Sequence, residues 1–296
     1  MRHALLLFLT PIILVCFLAS GCGNRNKPKI TIGSKFFTEQ VVLGELLAQH
    51  IEAKTDISVD RKSNLGGTLL VHKAMLAGDL DLYVEYTGTA LTAVLGEKPN
   101  GDSKAVYDRV KQEYERRFHL DVMPPLGFEN AFAMVVRGDD AKNLNLHKMS
   151  DLVSVAPRWR IGVGYEFLER PDGYQGWASS YGLHFADKPS VMDLGLIYRA
   201  LVEKKVDVVA GNSTDGLIDA LHLVPLEDDR HYFPPYDAVP IVRDETLKKF
   251  PQLRPALEDL TGKISADEMR RMNYAVDGQQ RDVAKVVREF RAAKGL

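Results

Sequence analysis

From Lys29 onward the apolar positions switch between two spacings. "KITIGS" puts Ile30 and Ile32 two apart, as a strand with one buried face does, whereas "FFTEQVVLGELLAQHIE" repeats apolar residues at helical intervals. "ISVDRKS" predicts a second strand, "GTLLVHKAMLAG" a helix opened by glycines, and "LDLYVEY", apolar almost throughout, a buried strand. "TGTALTAVLG" then predicts a helix begun by a Thr cap. Strands and helices alternating at this length predict an α/β fold built on mostly parallel, doubly wound sheets.

The order returns more loosely about 126–131 residues later: "RIGVGYEF" (160–167) echoes "KITIGSKF" (29–36), and "VDVVAGN" with "STDGLIDAL" echoes the strand that ends at Tyr86. Between them lie "NAFAMVVRGDD", a strand and turn, and the amphipathic "DLGLIYRALVEKK". The period is far longer than that of a solenoid, so the echo predicts two similar α/β lobes rather than an array. Superposing the halves sets Tyr86 opposite Asn212. In open α/β sheets ligands bind beyond the carboxyl ends of the strands, at helix N-termini. Two facing lobes would therefore bring Tyr86, Thr87 and Thr89 to one wall of a shared cleft. Asn212, Ser213, Thr214 and Asp215 would form the other. Each Thr can equally be a simple helix cap and each Tyr a core residue.

The N-terminus changes the picture of location. Met1, Arg2 and His3 precede an apolar run to about Leu18 that ends in "LASGC", which reads as a secretory signal over residues 1–21. Pro11 interrupts a run already short of the roughly 20 residues a membrane span needs. "LASGC" resembles a bacterial lipobox, with Ala19 where Leu is more usual, and nominates Cys22 for lipidation. Residues 22–28 then form a polar tether. Cys16 falls in the discarded segment, which leaves Cys22 without a disulfide partner. Removing residues 1–21, which hold Arg2 and no acid, takes the formal charge from −2 to −3. That balance, with no basic cluster, excludes a nucleic-acid surface. No G-x-S-x-G elbow, H-E-x-x-H or P-loop is present, and the eight His lack metal-ligand spacing. No cofactor or metal is called for.

Two cations sharpen the cleft. Lys35 follows "TIGS" at the end of the first strand, and Arg170 follows "GYEFLE" at a similar point in the second half. Surface cations are the common fate of such residues, but two converging from opposite lobes suit a carboxylate, which Arg can hold bidentately.

"IGSKFFTEQ", "LGGT", "LDLYVEYTGTAL", "STDG" and "YFPPYDAVPIVR", in that order, resemble the substrate-binding proteins of ABC importers for glycine betaine, choline and carnitine. The resemblance spans nearly all of residues 29–296. It implies a two-lobed, type II periplasmic-binding fold that closes on its ligand, with aromatic rings around a trimethylammonium group. On that pattern lobe one comprises residues 29–130 and 239–296, and lobe two residues 131–238. The C-terminal "QQRDVAKVVREFRAAKGL" is expected to be an amphipathic helix packed on lobe one. The motif positions carry over as Lys35, Tyr86, Thr89, Arg170 and Tyr236. Two depart from the pattern: Phe132 stands in "NAFA" where relatives have Tyr, and Asn212 where they have an aromatic before "STDG". The expected protein is a lipid-anchored binder, in the periplasm or on the outer face of the cytoplasmic membrane. It would hand a betaine-like zwitterion to an ABC permease and would not be an enzyme. Choline, with no carboxylate, fits the cation pair less well. A bulkier betaine such as ergothioneine, using the space at Asn212, and an exported α/β enzyme on the same fold are the alternatives.

Overall fold

The computed structural model describes residues 27–98 and 101–296. Signal peptide, Cys22 and most of the tether lie outside the described residues. Two five-stranded sheets dominate. The first holds β1 (Lys29–Gly33), β2 (Ser58–Lys62), β3 (Leu82–Tyr86), β4 (Leu120–Val122) and β10 (Ala238–Arg243), in the order β2-β1-β3-β10-β4. The second holds β5 (Phe132–Arg137), β6 (Ile161–Val163), β7 (Ser190–Val191), β8 (Val208–Asn212) and β9 (Leu223–Leu226), in the order β7-β6-β8-β5-β9. Each is a parallel trio followed by one antiparallel strand and an edge strand. The α/β class, the mostly parallel sheets and the two-lobed type II arrangement agree with the expectation.

The antiparallel strand of each sheet, β10 or β5, is the first one the chain makes after crossing from the other lobe. The crossings run side by side: Glu129 bridges Asp237, Asn130 N–H donates to the Tyr236 carbonyl at 3.0 Å, and Ala238 N–H to that of Phe128 at 3.0 Å. Two strands bonded in this way can bend together, which is the physical requirement for a hinge.

Local chemistry explains the elements that reach the cleft. All five residues of β3 are buried, as its near-continuous apolar run requires. The helix Thr68–Ala77 starts after Gly67 and stops at Gly78, whose φ of 80° only glycine adopts freely. The expected Thr cap after β3 does not form. Tyr86 is the N-cap, without a side-chain bond, and the turn Thr87–Thr89 widens into a π-helical turn over Ala90–Val94. The Thr87 hydroxyl instead pins the crossover, donating to the Pro235 carbonyl at 3.2 Å and accepting from Asp237 N–H at 3.1 Å. The C-terminal helix Val283–Lys294 packs on the helix Thr38–Lys54, as expected, burying Val286 and Val287.

Candidate ligand-binding cleft

The carboxyl ends of β1, β3, β6 and β8 converge on one cleft of about 550 Å³ that is partly open to solvent. Of the residues expected there, Lys35, Tyr86, Thr89, Phe132, Arg170, Asn212 and Tyr236 line it. Thr87, Ser213, Thr214 and Asp215 do not. Ser213 accepts Ala131 N–H at 3.1 Å, and Thr214 is fully buried with its carbonyl taken by Asn273 Nδ2 at 3.0 Å. Asp215 opens onto an adjoining chamber and accepts both Asn212 N–H at 2.9 Å and the Tyr198 hydroxyl at 2.5 Å. Ser213, Thr214 and Asp215 thus build the corner of β8, and Thr87 that of β3, rather than the wall of the cleft.

Register explains the exchange of Tyr86 for Asn212. Tyr86 ends β3 opposite Ala238, the first residue of β10, and Asn212 ends β8 opposite Phe132, the first residue of β5. The two corners are equivalent, but the ring moves to the neighbouring strand. Lobe one carries it on the third strand with a small residue across the ladder. Lobe two carries it on the antiparallel strand with an amide across.

Seven of the sixteen lining residues are aromatic, so rings supply a large share of the walls. Phe37 stacks on Tyr86 with centroids 6.4 Å apart and planes at 22°. Phe132 meets Tyr236 edge-on at 5.9 Å and Phe167 at 4.8 Å. The glycine of "YTG" permits this approach: a Cβ on Gly88 would lie 2.7 Å from the Tyr236 ring and from the Pro235 carbonyl oxygen. Burial raises both the Tyr86 and the Tyr236 hydroxyls well above their ordinary value, so both are neutral donors. Tyr86 donates to Glu39 and Tyr236 to Asp172, each at 2.6 Å.

Both cations arrive already partnered. Lys35 Nζ, two residues past the end of β1, donates to Glu85 of β3 at 2.5 Å and to the Thr68 hydroxyl at 2.8 Å. Arg170 donates to Asp172 through Nε at 2.9 Å and Nη2 at 2.6 Å, and reaches across the cleft to Thr89 through Nη1 at 3.0 Å. Its guanidinium lies 4.9 Å from the Phe132 centroid and 5.8 Å from that of Tyr236. Burial alone would push the Asp172 carboxyl up, but the Arg170 hydrogen bonds and charge outweigh it and hold it below its ordinary 3.8. Lys35 and Arg170 are therefore locally neutralised. Counting a fourth Arg170 bond, from Nη2 to the Thr92 hydroxyl at 3.5 Å, each nonetheless retains one N–H with no partner among the described residues, given three donors on Lys and five on Arg.

A third carboxylate was not anticipated. Glu166 lines the cleft and accepts the Thr68 N–H at 2.7 Å, at the start of a helix on the opposite lobe. Burial raises its carboxyl, but the charge of Lys35 and that N–H bring it below its ordinary 4.5. Together with the Arg170–Thr89 bond it ties the lobes across the cleft. Behind the wall, the Glu39 carboxylate also accepts Asn130 Nδ2 at 2.9 Å and Asn273 Nδ2 at 3.0 Å. Burial raises its pKa despite these bonds. Phe37, Glu39, Glu85, Glu166 and Asp172 are among the site residues that sequence reasoning missed, with the lining aromatics Phe36, Tyr165 and Phe167. Glu85 carried a signal, since an acid inside "LYVEY" needs a buried partner.

Among the described residues no group of His, Cys, Asp or Glu is placed to hold a metal, and no helix is long and apolar enough to cross a membrane. The arrangement is an aromatic box with paired charges and two free N–H donors, suited to holding a small cation that also bears an oxygen.

Comparison with known proteins agrees. Residues 28–293 match the family described as the substrate binding domain of ABC-type glycine betaine transport systems. A carnitine transport binding protein of Listeria monocytogenes is 40% identical over 272 residues, 91% of this chain and 88% of that protein. An ergothioneine transport permease and binding protein of Helicobacter pylori is 33% identical over 92% of this chain, which spans 48% of that longer protein. A crystal structure of a glycine betaine/carnitine/choline ABC transporter component superposes with a TM-score of 0.75 at 34% identity, covering 90% of this chain and 98% of that one. The family consists of transport binding proteins, not enzymes, and this chain belongs to it: it is an ABC-importer substrate-binding protein of the glycine betaine transport family.

Proposed function

We propose that this protein captures a betaine-like quaternary ammonium zwitterion in the aromatic cleft and delivers it to an ABC permease. The reading places it outside the cytoplasmic membrane, tethered by a lipid on Cys22. The observation that carries it is the pair of rings at equivalent strand corners, Tyr86 and Phe132, beside two free N–H donors from opposite lobes. The rings offer π faces to the ammonium, and the Lys35 and Arg170 donors take the carboxylate. Because Glu85 and Asp172 neutralise those cations, preference for a carboxylate over the hydroxyl of choline rests on these two hydrogen bonds rather than on net charge. A charge-assisted bond contributes about 1.5–3 kcal/mol. Glycine betaine and carnitine should therefore bind at least ten times more tightly than choline. Isothermal titration of the purified domain with the three ligands tests this. Tighter choline binding removes the clamp, and no saturable binding of any quaternary ammonium removes the whole reading. Fatty-acid labelling of the wild type but not of Cys22→Ser tests the anchor.

A bulkier betaine is a second reading, favoured by one observation: Asn212 leaves that corner without a ring on β8. The Helicobacter pylori relative, whose name assigns it ergothioneine, is in keeping with this alternative.

A further inference from the structure

The "LGGT" segment, residues 65–68, contributes no wall to the aromatic cleft. Its chemistry is directed at the other lobe. Gly66 has a φ of 126°, in the region that favours glycine, and turns the chain into the helix Thr68–Ala77. The Thr68 N–H opens that helix and so has no intrahelical acceptor. Its partner is Glu166 Oε1 at 2.7 Å, from the helix Tyr165–Glu169 on the far side of the cleft. The Thr68 hydroxyl accepts Lys35 Nζ at 2.8 Å, so one residue joins a cleft cation to a carboxylate across the gap. Gly67 makes the approach possible. A Cβ there would lie 2.8 Å from Glu166 Oε1, and its three nearest atoms all belong to Glu166. The Gly67 backbone, at φ −80° and ψ −179°, suits any residue. It is the Glu166 carboxylate, not the turn, that requires a glycine at 67. A carboxylate at a helix start is ordinarily supplied by the residue just before the helix. This one comes from 98 residues further along, on the lobe that must move away when the cleft opens.

We infer that Glu166, Gly67 and the Thr68 N–H form a latch between the lobes that sets how long a captured ligand is retained, not which ligand is chosen. Both partners of the bond belong to the chain, so it stabilises the closed form equally whatever the cleft holds. Escape of the ligand requires the bond to break, so the latch acts on release. The other bond across the cleft, Arg170 to Thr89, lacks this independence, because Arg170 is assigned to the ligand carboxylate. The effect on ligands rests on the function proposed above. The latch itself can be read without one.

Gly67→Ala is the test, because the helix start accepts alanine and the added methyl displaces the flexible end of Glu166. Hydrogen exchange of the Thr68 amide, followed by NMR in ligand-free protein and corrected for the intrinsic rate of each sequence, reads the latch directly. Gly67→Ala and Glu166→Ala should each speed it at least fivefold. The Val71 amide, bonded to the Gly67 carbonyl within the same helix, should change less than twofold. In stopped-flow experiments Gly67→Ala should release glycine betaine and carnitine faster by one common factor, about ten- to a hundredfold, the range of one charge-assisted hydrogen bond. The ratio of their affinities should stay within twofold of wild type. In a Glu166→Ala background Gly67→Ala should add less than twofold to release. Unchanged Thr68 exchange or unchanged release in Gly67→Ala overturns the inference, and so does a shift in the affinity ratio. Thr68 and Val71 exchange rising together would assign Gly67 to helix stability and overturn it as well. If the wild type binds no quaternary ammonium, the proposed function falls, and exchange at Thr68 still decides the latch.

Discussion

Arg170→Ala separates a binding role from a structural one, because the structure gives this side chain both. Its guanidinium is held bidentately by Asp172, whose side chain is fully buried, and the Arg side chain is itself only 9% exposed. Truncating the Arg leaves a carboxylate inside the protein with only the neutral side chains of Tyr236 and Thr92 as partners from this cluster. Removing one partner of a buried ion pair costs about 3–5 kcal/mol, whereas replacing both partners by neutral groups of similar volume is often close to neutral. Against a typical total stability of about 5–15 kcal/mol, the single variant should be severely weakened. The double variant Arg170→Met with Asp172→Asn should recover most of the loss.

The pH dependence has a sign of its own. In the wild type the folded Asp172 carboxyl lies below its ordinary 3.8, so the pair stabilises the protein above that value, and the contribution fades as pH falls through the folded pKa. Without Arg170, burial dominates and the folded pKa rises above 3.8. The native state then binds the extra proton, so the deficit of Arg170→Ala should be smaller at pH 4.5 than at pH 7.5. Urea unfolding followed by fluorescence of the buried Trp177 reads both pH values. Titration with glycine betaine should show the double variant still about ten- to a hundredfold weaker than wild type, because the free N–H has gone with the Arg. A double variant no more stable than the single one would refute the buried-pair argument. Wild-type affinity in the double variant would refute the clamp.

Three further perturbations address the walls and the chamber. Asn212→Tyr places a ring where the register sets the counterpart of Tyr86; glycine betaine should tighten about three- to thirtyfold, the range of a cation–π contact, and a bulkier betaine such as ergothioneine should weaken as the ring fills that corner. Changes within twofold for both ligands in calorimetry would show that position 212 is not a wall. Gly88→Ala drives a methyl to within 2.7 Å of the Tyr236 ring; overpacking of about 1–3 kcal/mol should lower the melting temperature and weaken glycine betaine at least tenfold, and unchanged affinity would mean that the Tyr236 face is not used. Asp215 has its pKa raised from 3.8 to about 6, so its ionisation opposes folding and wild-type stability should decline as pH rises from 4 to 7. The full shift corresponds to at most ~3 kcal/mol; Asp215→Asn should flatten that slope in urea melts across the range, and an unchanged slope would assign it to other groups.

What could be read from the sequence, and what could not, divides along the range of the interactions. Strand periods and the helix after Gly67 are local, and with the echo between the halves they located both strand corners with Tyr86, Thr89 and Asn212, whereas Phe132 and Tyr236 came from the family resemblance. The lone charges Lys35 and Arg170 were legible as cleft cations, but their partners lie one strand or one turn away and become neighbours only when the sheet forms. The same limit explains Asn212. As a sequence position it is a missing ring, and the register alone reveals Phe132 directly across the ladder from it. Thr214 and Asp215 were assigned to the wall because "STDG" follows a strand, yet the chain turns so that Asp215 bonds back to the Asn212 N–H. That turn directs the carboxylate away from the aromatic cleft and into the neighbouring chamber.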